Sequence, residues 1–356
     1  LRPLPEKWHG LTDVEARSRQ RHLDLIANQR AREVAVLRSR VVTTIRSVLD
    51  ERGFLEVETP VLQPIYGGAA ARPFTTHHHS LDQILYLRIS DELYLKRLVI
   101  GGLDRVYEIG RVFRNEGISR KHNPEFSMLE CYQAYADYGD MMDLARLLVQ
   151  EIAGRALGDT SIVYQGHRIE LSGSWPRISM RDAIRDAIDI DVLAADGHEA
   201  LRAALRAKGL DPGDAPTWSV LVDDLFSNYV EPTLIQPTFI TDYPRDLSPL
   251  AKGSARDPRL VERFELFLGG FEIANAFSEL NDPEDQRGRF EDQRRAAAKG
   301  DAEAHPMDED FLNAMEYGMP PTGGLGMGID RLTMTLADAP NLREVILFPH
   351  LRTERR

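Results

Sequence analysis

Apolar residues recur at three-to-four spacing over residues 29–52. Leu37, Val41, Ile45, Val48 and Leu49 fall on one helical face, and Gly53 supplies a stop. FLEVETPVL then reads as a strand with Pro60 at its middle, which puts the proline at an edge or a bend. ILYLRIS reads as a strand and DELYLKRLVIGG as a helix. A hairpin is expected over about 105–133 and a further helix over 140–157. Residues 172–235 change character: RISMRDAIRDAI and HEALRAALRAKG are helical with mixed charge and are punctuated by Gly and Pro, which suggests a helical insertion. Strands return at PTFITDYP and RFELFLGGFEIANAF, and residues 283–317 are charged and helical. Strands in consecutive hairpins, rather than alternating with helices, predict an antiparallel sheet flanked by helices, an α+β fold. Residues 1–28 read as a linker and lead-in, and 29–356 as one domain carrying the insertion.

The hairpin segment FRNEGISRKHNPEFSMLECY holds two short strands around a polar, basic loop. Side chains alternate along a strand, so Phe126, Met128, Glu130 and Tyr132 share one face while Leu129 and Cys131 take the other. The second face suits a core. The first, with Arg114 nearby, suits a flat base, a phosphate and a cation, or else an exposed hairpin with a salt bridge. GLGMGIDRL at residues 324–332 places glycines ahead of Asp330, Arg331 and a helical run, where backbone can approach backbone or ligand closely. It is neither a Walker loop nor a dinucleotide fingerprint, since neither spacing is present.

RFELFLGGFEIANAFSEL contains Glu265, Glu272 and Glu279. A two-residue turn at Gly269–Gly270 pairs Phe267 with Glu272 and sets Glu265 diagonally on the same face. Converging carboxylates need a cation or a raised pKa, and magnesium takes carboxylate and phosphate oxygens together. A solvent-facing acidic hairpin is the alternative. Simple alternation sends Asn275, Phe277 and Glu279 to the opposite face from Glu272, so a common site requires a bulge between 272 and 275.

The chain of 356 residues carries a formal net charge of −12, which argues against a surface coated for nucleic acid but leaves local basic patches open. Arg17, Arg19 and Arg21 form one such candidate, read as a solvated helix face, and Arg120 with Lys121 another. The single cysteine, Cys131, rules out an internal disulfide framework and suggests a reducing, cytoplasmic compartment. There is no secretory signal and no apolar run near the roughly 18 residues a spanning helix needs, so no membrane contact is expected from this segment. The start at Leu1 reads as a fragment or processed product, with LRPLPEKWHG as a linker. His77, His78 and His79 point to different sides and read as a loop or interface rather than a metal cluster. The three tryptophans, Trp8, Trp175 and Trp218, form no pattern.

With these elements in order, the chain resembles the class II aminoacyl-tRNA synthetases, and within them the lysyl-tRNA synthetase family. VETPVL looks like motif 1, FRNEGISRKHNPEF like motif 2 and GLGMGIDRL like motif 3. GGAAARPF, DELYLKRL, PTFITDYP and EIANAFSELNDP also match in register, from Leu1 to about Pro349. The resemblance implies an antiparallel catalytic sheet and a homodimer formed through motif 1. The family carries an anticodon-binding barrel ahead of this domain, which the sequence given does not contain. One departure is Lys121, where most relatives have arginine; lysine cannot form the guanidinium fork, and Arg120 stands beside it.

The implied activity is lysine–tRNA ligation: ATP and Mg2+ convert lysine to lysyl-adenylate, which then charges the 3′ end of tRNA(Lys). Arg114 and Arg331 are the implied catalytic residues, Arg114 touching both lysine carboxylate and α-phosphate. Phe126 and Arg331 would sandwich adenine; Glu116, Lys121, His122 and Asn123 would serve adenine or phosphates. Glu265 and Glu272 would carry magnesium, with Glu265 also counted in the ATP site. Gly68 and Glu92 would meet the α-amine and Asn275 the carboxylate side. Glu130, Tyr132 and Glu279 would meet the ε-ammonium, with Phe277 against the stem. Two other readings compete: a lysyltransferase acting on a protein acceptor, and a catalytically inactive binding module.

Overall fold

The computed structural model describes residues 11–195, 197–298 and 304–352. The linker reading of residues 1–10, with Trp8, lies outside them. Helix α1, Gln29–Asp50, starts at Asn28, whose side chain accepts a hydrogen bond from Arg30 N at 3.0 Å. Just beyond its end comes Gly53, at φ +76°. Its periodic stripe is buried as expected: Val41, Ile45, Val48 and Leu49 are all inaccessible or nearly so.

Eight strands form the main sheet: β1 (Leu55–Glu56), β2 (Arg105–Phe113), β3 (Glu125–Ala134), β4 (Arg177–Ser179), β5 (Thr238–Pro244), β6 (Leu260–Leu268), β7 (Phe271–Ser278) and β8 (Thr322–Gly328). Their order across the sheet is β1-β2-β3-β8-β7-β6-β5-β4. The inner pairings are antiparallel, whereas the outermost pair at each edge, β1 with β2 and β4 with β5, is parallel. A smaller sheet joins Leu62–Gln63, Thr75–His78 and Gln83–Leu87.

One face of the main sheet is apolar. Leu129 and Cys131 of β3, Phe264 and Leu266 of β6, and Leu325 and Met327 of β8 share a core with α1 and with helix α2, Tyr138–Ile152. The opposite face carries the polar alternates, so the period-two pattern separates core from site across one sheet.

Three expectations need correction. FLEVETPVL is not one strand: regular strand is confined to Leu55–Glu56 and Leu62–Gln63, and Pro60, which lacks a donor, sits in the segment between them, at a bend as its position predicts. Residues 172–235 are not wholly helical, since β4 within them extends the main sheet; among the described residues, the α-helices there are Met180–Ile188, His198–Ala207 and Trp218–Tyr229. Arg17, Arg19 and Arg21 are not a solvated basic face. Arg17 pairs with Asp24 at 2.8 Å, Arg19 with Glu15 at 2.6 Å, and Arg21 is buried, donating to Asp24 and to the carbonyls of Arg343 and Leu347. Their charge is consumed in fixing the N-terminal helices to the C-terminal segment.

Candidate active site

A cavity of about 530 Å³ opens on the polar face of the sheet. Strand β3 contributes Phe126, Met128, Glu130 and Tyr132 to its wall, and β8 contributes Gly324, Gly326 and Gly328. Register explains the close approach. Gly324 lies opposite Tyr132 on one side and Phe277 on the other. A Cβ at Gly324 would overlap Glu279 Oε1 and the Tyr132 ring, so glycine is required where both side chains cross the strand.

The carboxylate hairpin turns at Gly269 and Gly270, with φ +67° and +79°, the two positive values a tight primed turn demands. Phe267 pairs with Glu272 and Leu268 with Phe271, as the sequence predicts. The register then shifts: Leu266 pairs with Ala274 and Glu265 with Asn275, leaving Ile273 extra. This is the required bulge, and it returns Glu272, Asn275, Phe277 and Glu279 to one cavity.

The cavity has a cationic end. Arg114, Lys121, His122 and Arg331 line it, with Glu116 and Asn123 on the same loop. The Arg114 guanidinium lies 5.2 Å from the Phe126 ring centroid, and its Nε donates to Ile89 O at 3.4 Å. Arg331 Nη1 donates to Glu272 Oε2 at 2.8 Å. Its neighbour Asp330 accepts from Ser127 N at 2.9 Å and Arg38 Nη2 at 2.6 Å, which pins the first turn of helix α3, Ile329–Leu336, against β3. Burial lowers the Arg114 pKa; burial and the nearby Arg331 lower that of His122, favouring its neutral form. Lys121 Nζ is held by Glu231 at 2.8 Å, beyond the last insertion helix. Asn123 is committed to the protein, donating to Glu125 O at 2.6 Å and accepting from His350 N at 3.3 Å.

Glu265 and Glu272 stand together in the middle. Glu265 accepts from Arg263 Nη2 at 2.6 Å and Tyr243 OH at 3.0 Å. Burial and then the Glu272 charge push its pKa up to about 7. Burial is the largest influence on Glu272 and acts upward, but the guanidiniums of Arg331, Arg263 and Arg114 together hold the carboxyl below its ordinary value. Two carboxylates that repel each other beside Arg114 and Arg331 form a donor set suited to a divalent cation held against phosphates.

The other end is acidic and aromatic. Glu130 is buried and accepts from Ser90 Oγ at 2.7 Å and Tyr132 OH at 3.0 Å. Glu92 and Glu279 lie beside it, Phe277 lines the wall, and Gly68, at φ +84°, sits over Ser90 and Glu92. Burial raises Glu92 to about 7 despite Lys96. It raises Glu279 well above its ordinary range, again against Lys96.

Every residue singled out from the sequence for this site borders the one cavity. Three supporting residues escaped that reading. Arg263 bridges Glu265 and Asn275 Oδ1, the latter at 3.0 Å; its position two before Glu265 on a strand was the available signal. Ser90 holds Glu130, and no sequence spacing marks it. Lys96, four residues after Glu92 on the helix Glu92–Ile100, bonds back to it at 2.5 Å, an i,i+4 pair visible in the sequence. His77–His79 stay apart from the site, on an exposed hairpin where His77 Nε2 meets Asp82 at 3.0 Å. Cys131 is buried in the core.

Comparison with known proteins agrees with this geometry. Residues 13–352 match the family described as tRNA synthetases class II (D, K and N). The chain is 60% identical over 352 residues to the lysine–tRNA ligase of Chloroflexus aurantiacus, covering 99% of this chain and 72% of that protein. The same shares are covered in the lysine–tRNA ligases of a Roseiflexus species, at 59% identity, and of Roseiflexus castenholzii, at 60%. Such identity along nearly the whole chain, together with a mainly antiparallel sheet that brings the motif 2 and motif 3 segments to one cavity, leaves a single assignment: the chain belongs to the class II tRNA synthetases of the D, K and N group.

Proposed function

We propose that this chain is a lysine–tRNA ligase, coupling ATP to the activation of lysine and its transfer to tRNA(Lys). The observation that carries the reading is the polarity of one cavity. Its acidic, aromatic-walled end, with Glu130, Tyr132, Phe277 and Glu279, suits an ammonium on an apolar stem; its other end, with Arg114 and Arg331, suits phosphates.

The lysine carboxylate attacks the α-phosphorus of ATP, forming lysyl-adenylate and releasing pyrophosphate. The terminal ribose hydroxyl of tRNA then attacks the acyl carbon and releases AMP. Neither step needs a protein nucleophile; positioning and charge stabilisation carry them. Arg114, at the cationic end yet within the field of Glu130, meets lysine carboxylate and α-phosphate and stabilises charge that develops on the phosphoryl oxygens. Adenine stacks between Phe126 and Arg331. Glu116, His122 and Asn123 border the nucleotide, and Lys121 exchanges Glu231 for phosphate. Gly68 and Glu92 serve the α-amine, with Asn275, steadied by Arg263, on the carboxylate side. Glu265 and Glu272 would hold Mg2+, which when bound neutralises and orients the ATP phosphates.

The proposed assembly is a cytoplasmic homodimer. Leu55, Val61 and Leu62 of the motif 1 segment are exposed apolar residues, which supports motif 1 as the interface. Among the described residues no helix is long and apolar enough to cross a membrane.

Lysine-dependent ATP–pyrophosphate exchange, followed by charging of tRNA(Lys) against a protein acceptor, tests the reading. Exchange driven by lysine and acyl transfer to tRNA are expected. Exchange without tRNA charging but with protein lysylation would favour a protein lysyltransferase, and no exchange at all an inactive module.

A further inference from the structure

Four carboxyl groups, Asp91, Glu92, Glu130 and Glu279, are buried around the acidic end of the cavity. Glu130 is satisfied by the neutral donors Ser90 and Tyr132. Glu92 and Glu279 instead share one protein cation, Lys96, which is 0% exposed. Lys96 does not border the cavity; it lies behind the wall, its Nζ 5.4 Å from the Phe277 ring centroid and 6.0 Å from that of Phe311. Each carboxylate gives it one oxygen, Glu92 Oε1 at 2.5 Å and Glu279 Oε2. Glu279 Oε1 has no hydrogen-bond partner and lies over Gly324, within the cavity wall.

We propose that Lys96 is a positioning residue that sets specificity: an internal ammonium that clamps Glu92 and Glu279 from behind so that their remaining oxygens face a ligand's amino groups. The inference rests on the reading of this cavity as a lysine site. One ammonium matches one of the two negative charges. A cationic ligand meets the second carboxylate as it ionises, whereas an uncharged ligand of the same carbon chain leaves that group either charged and unpaired or protonated and without a partner. Removing Lys96 reverses this. Two buried carboxyls without a cation take up protons, their side chains lose the anchor behind them, and the pocket no longer requires charge in its ligand.

The test compares lysine with norleucine, which has the same carbon chain but hydrogen in place of the ε-ammonium, in ATP–pyrophosphate exchange. Wild type should use lysine and discriminate strongly. Lys96→Met should raise the lysine KM on the order of 100-fold, change the ATP KM less than about threefold, and lower the lysine-to-norleucine preference by at least about tenfold. Lys96→Ala supplied with ethylammonium should regain lysine activity, whereas tetramethylammonium, with no N–H to donate, should not restore it. Lys96→Gln, which keeps a polar side chain of similar reach, carries the same comparison where the other variants fail to fold. Equal loss of lysine and norleucine activation, with no rescue by ethylammonium, would show a packing role and overturn the proposal. Absence of lysine-dependent exchange in wild type would instead remove the lysine reading on which the proposal stands.

Discussion

Glu130 stands where the strand pattern, burial and ligand chemistry meet. Period-two alternation turns it to the cavity, and its carboxylate is fixed by Ser90 and Tyr132 before any ligand arrives. Glu130→Gln keeps the volume and removes the charge. Lysine-dependent pyrophosphate exchange should fall on the order of 100-fold or more through the lysine term, with ATP affinity nearly unchanged. Separate titrations of the two substrates check this, and equal loss of both would undo the assignment. Gly324 offers a second probe on the neighbouring strand. In Gly324→Ala the new Cβ overlaps Glu279 Oε1 and the Tyr132 ring, so the amine end must rearrange while Arg114 and Arg331 stay in place. The expected result is a lysine KM raised about 100-fold with nucleotide binding retained, measured by exchange kinetics and by binding of ATP alone.

Among elements, α1 is the most readily derived. Its apolar stripe, its Asn28 cap and its glycine stop agree with one another, and such agreement across levels is what makes a helix readable. Ile45, 0% exposed against the apolar face of the sheet, should cost about 2–5 kcal/mol when cut to alanine, measured by denaturant unfolding, while kinetics of the surviving folded protein stay near wild type. The carboxylate hairpin was readable for a different reason. Gly269–Gly270 dictates the turn, and the need to bring Asn275 and Glu279 beside Glu272 dictates the bulge at Ile273. What stayed hidden was non-local or short. Pro60 breaks motif 1 into two-residue strands whose partners lie far along the chain, in β2 and in Gln83–Leu87. Strand β4 is three residues beside a helix and gains its identity only from β5. Arg17 and Arg21 read as a charged surface because Asp24 is near in sequence but the Glu344 and Leu347 partners are not. The sixteen site residues came mainly from family resemblance; alternation alone explains β3, and the supporting role of Ser90 required coordinates.

At the scale of the molecule, the acidic end of the cavity makes stability depend on pH and on ligand. Burial raises Glu92 and Glu265 from 4.5 to about 7 in the folded state. Between those values the folded protein binds more protons than the unfolded chain, so these groups make stability fall as pH rises from about 4.5 to about 7. Glu272, lowered on balance, acts in the opposite sense but only as pH falls below its ordinary range. A bound lysine supplies ammonium groups that favour ionised Glu92 and Glu279, so binding should release protons. Thermal melts of the ligand-free protein should therefore show a Tm that declines between about pH 5 and pH 7.5. Saturating lysine should flatten that decline. The lysine dissociation constant, read by calorimetry in two buffers of different ionisation enthalpy, should weaken about tenfold from pH 7.5 to pH 6 as Glu92 takes up its proton. A dissociation constant that holds steady across this interval, with no buffer-dependent heat, would mean that the ammonium of the ligand is not matched by these carboxylates, and would remove the electrostatic basis for lysine selectivity.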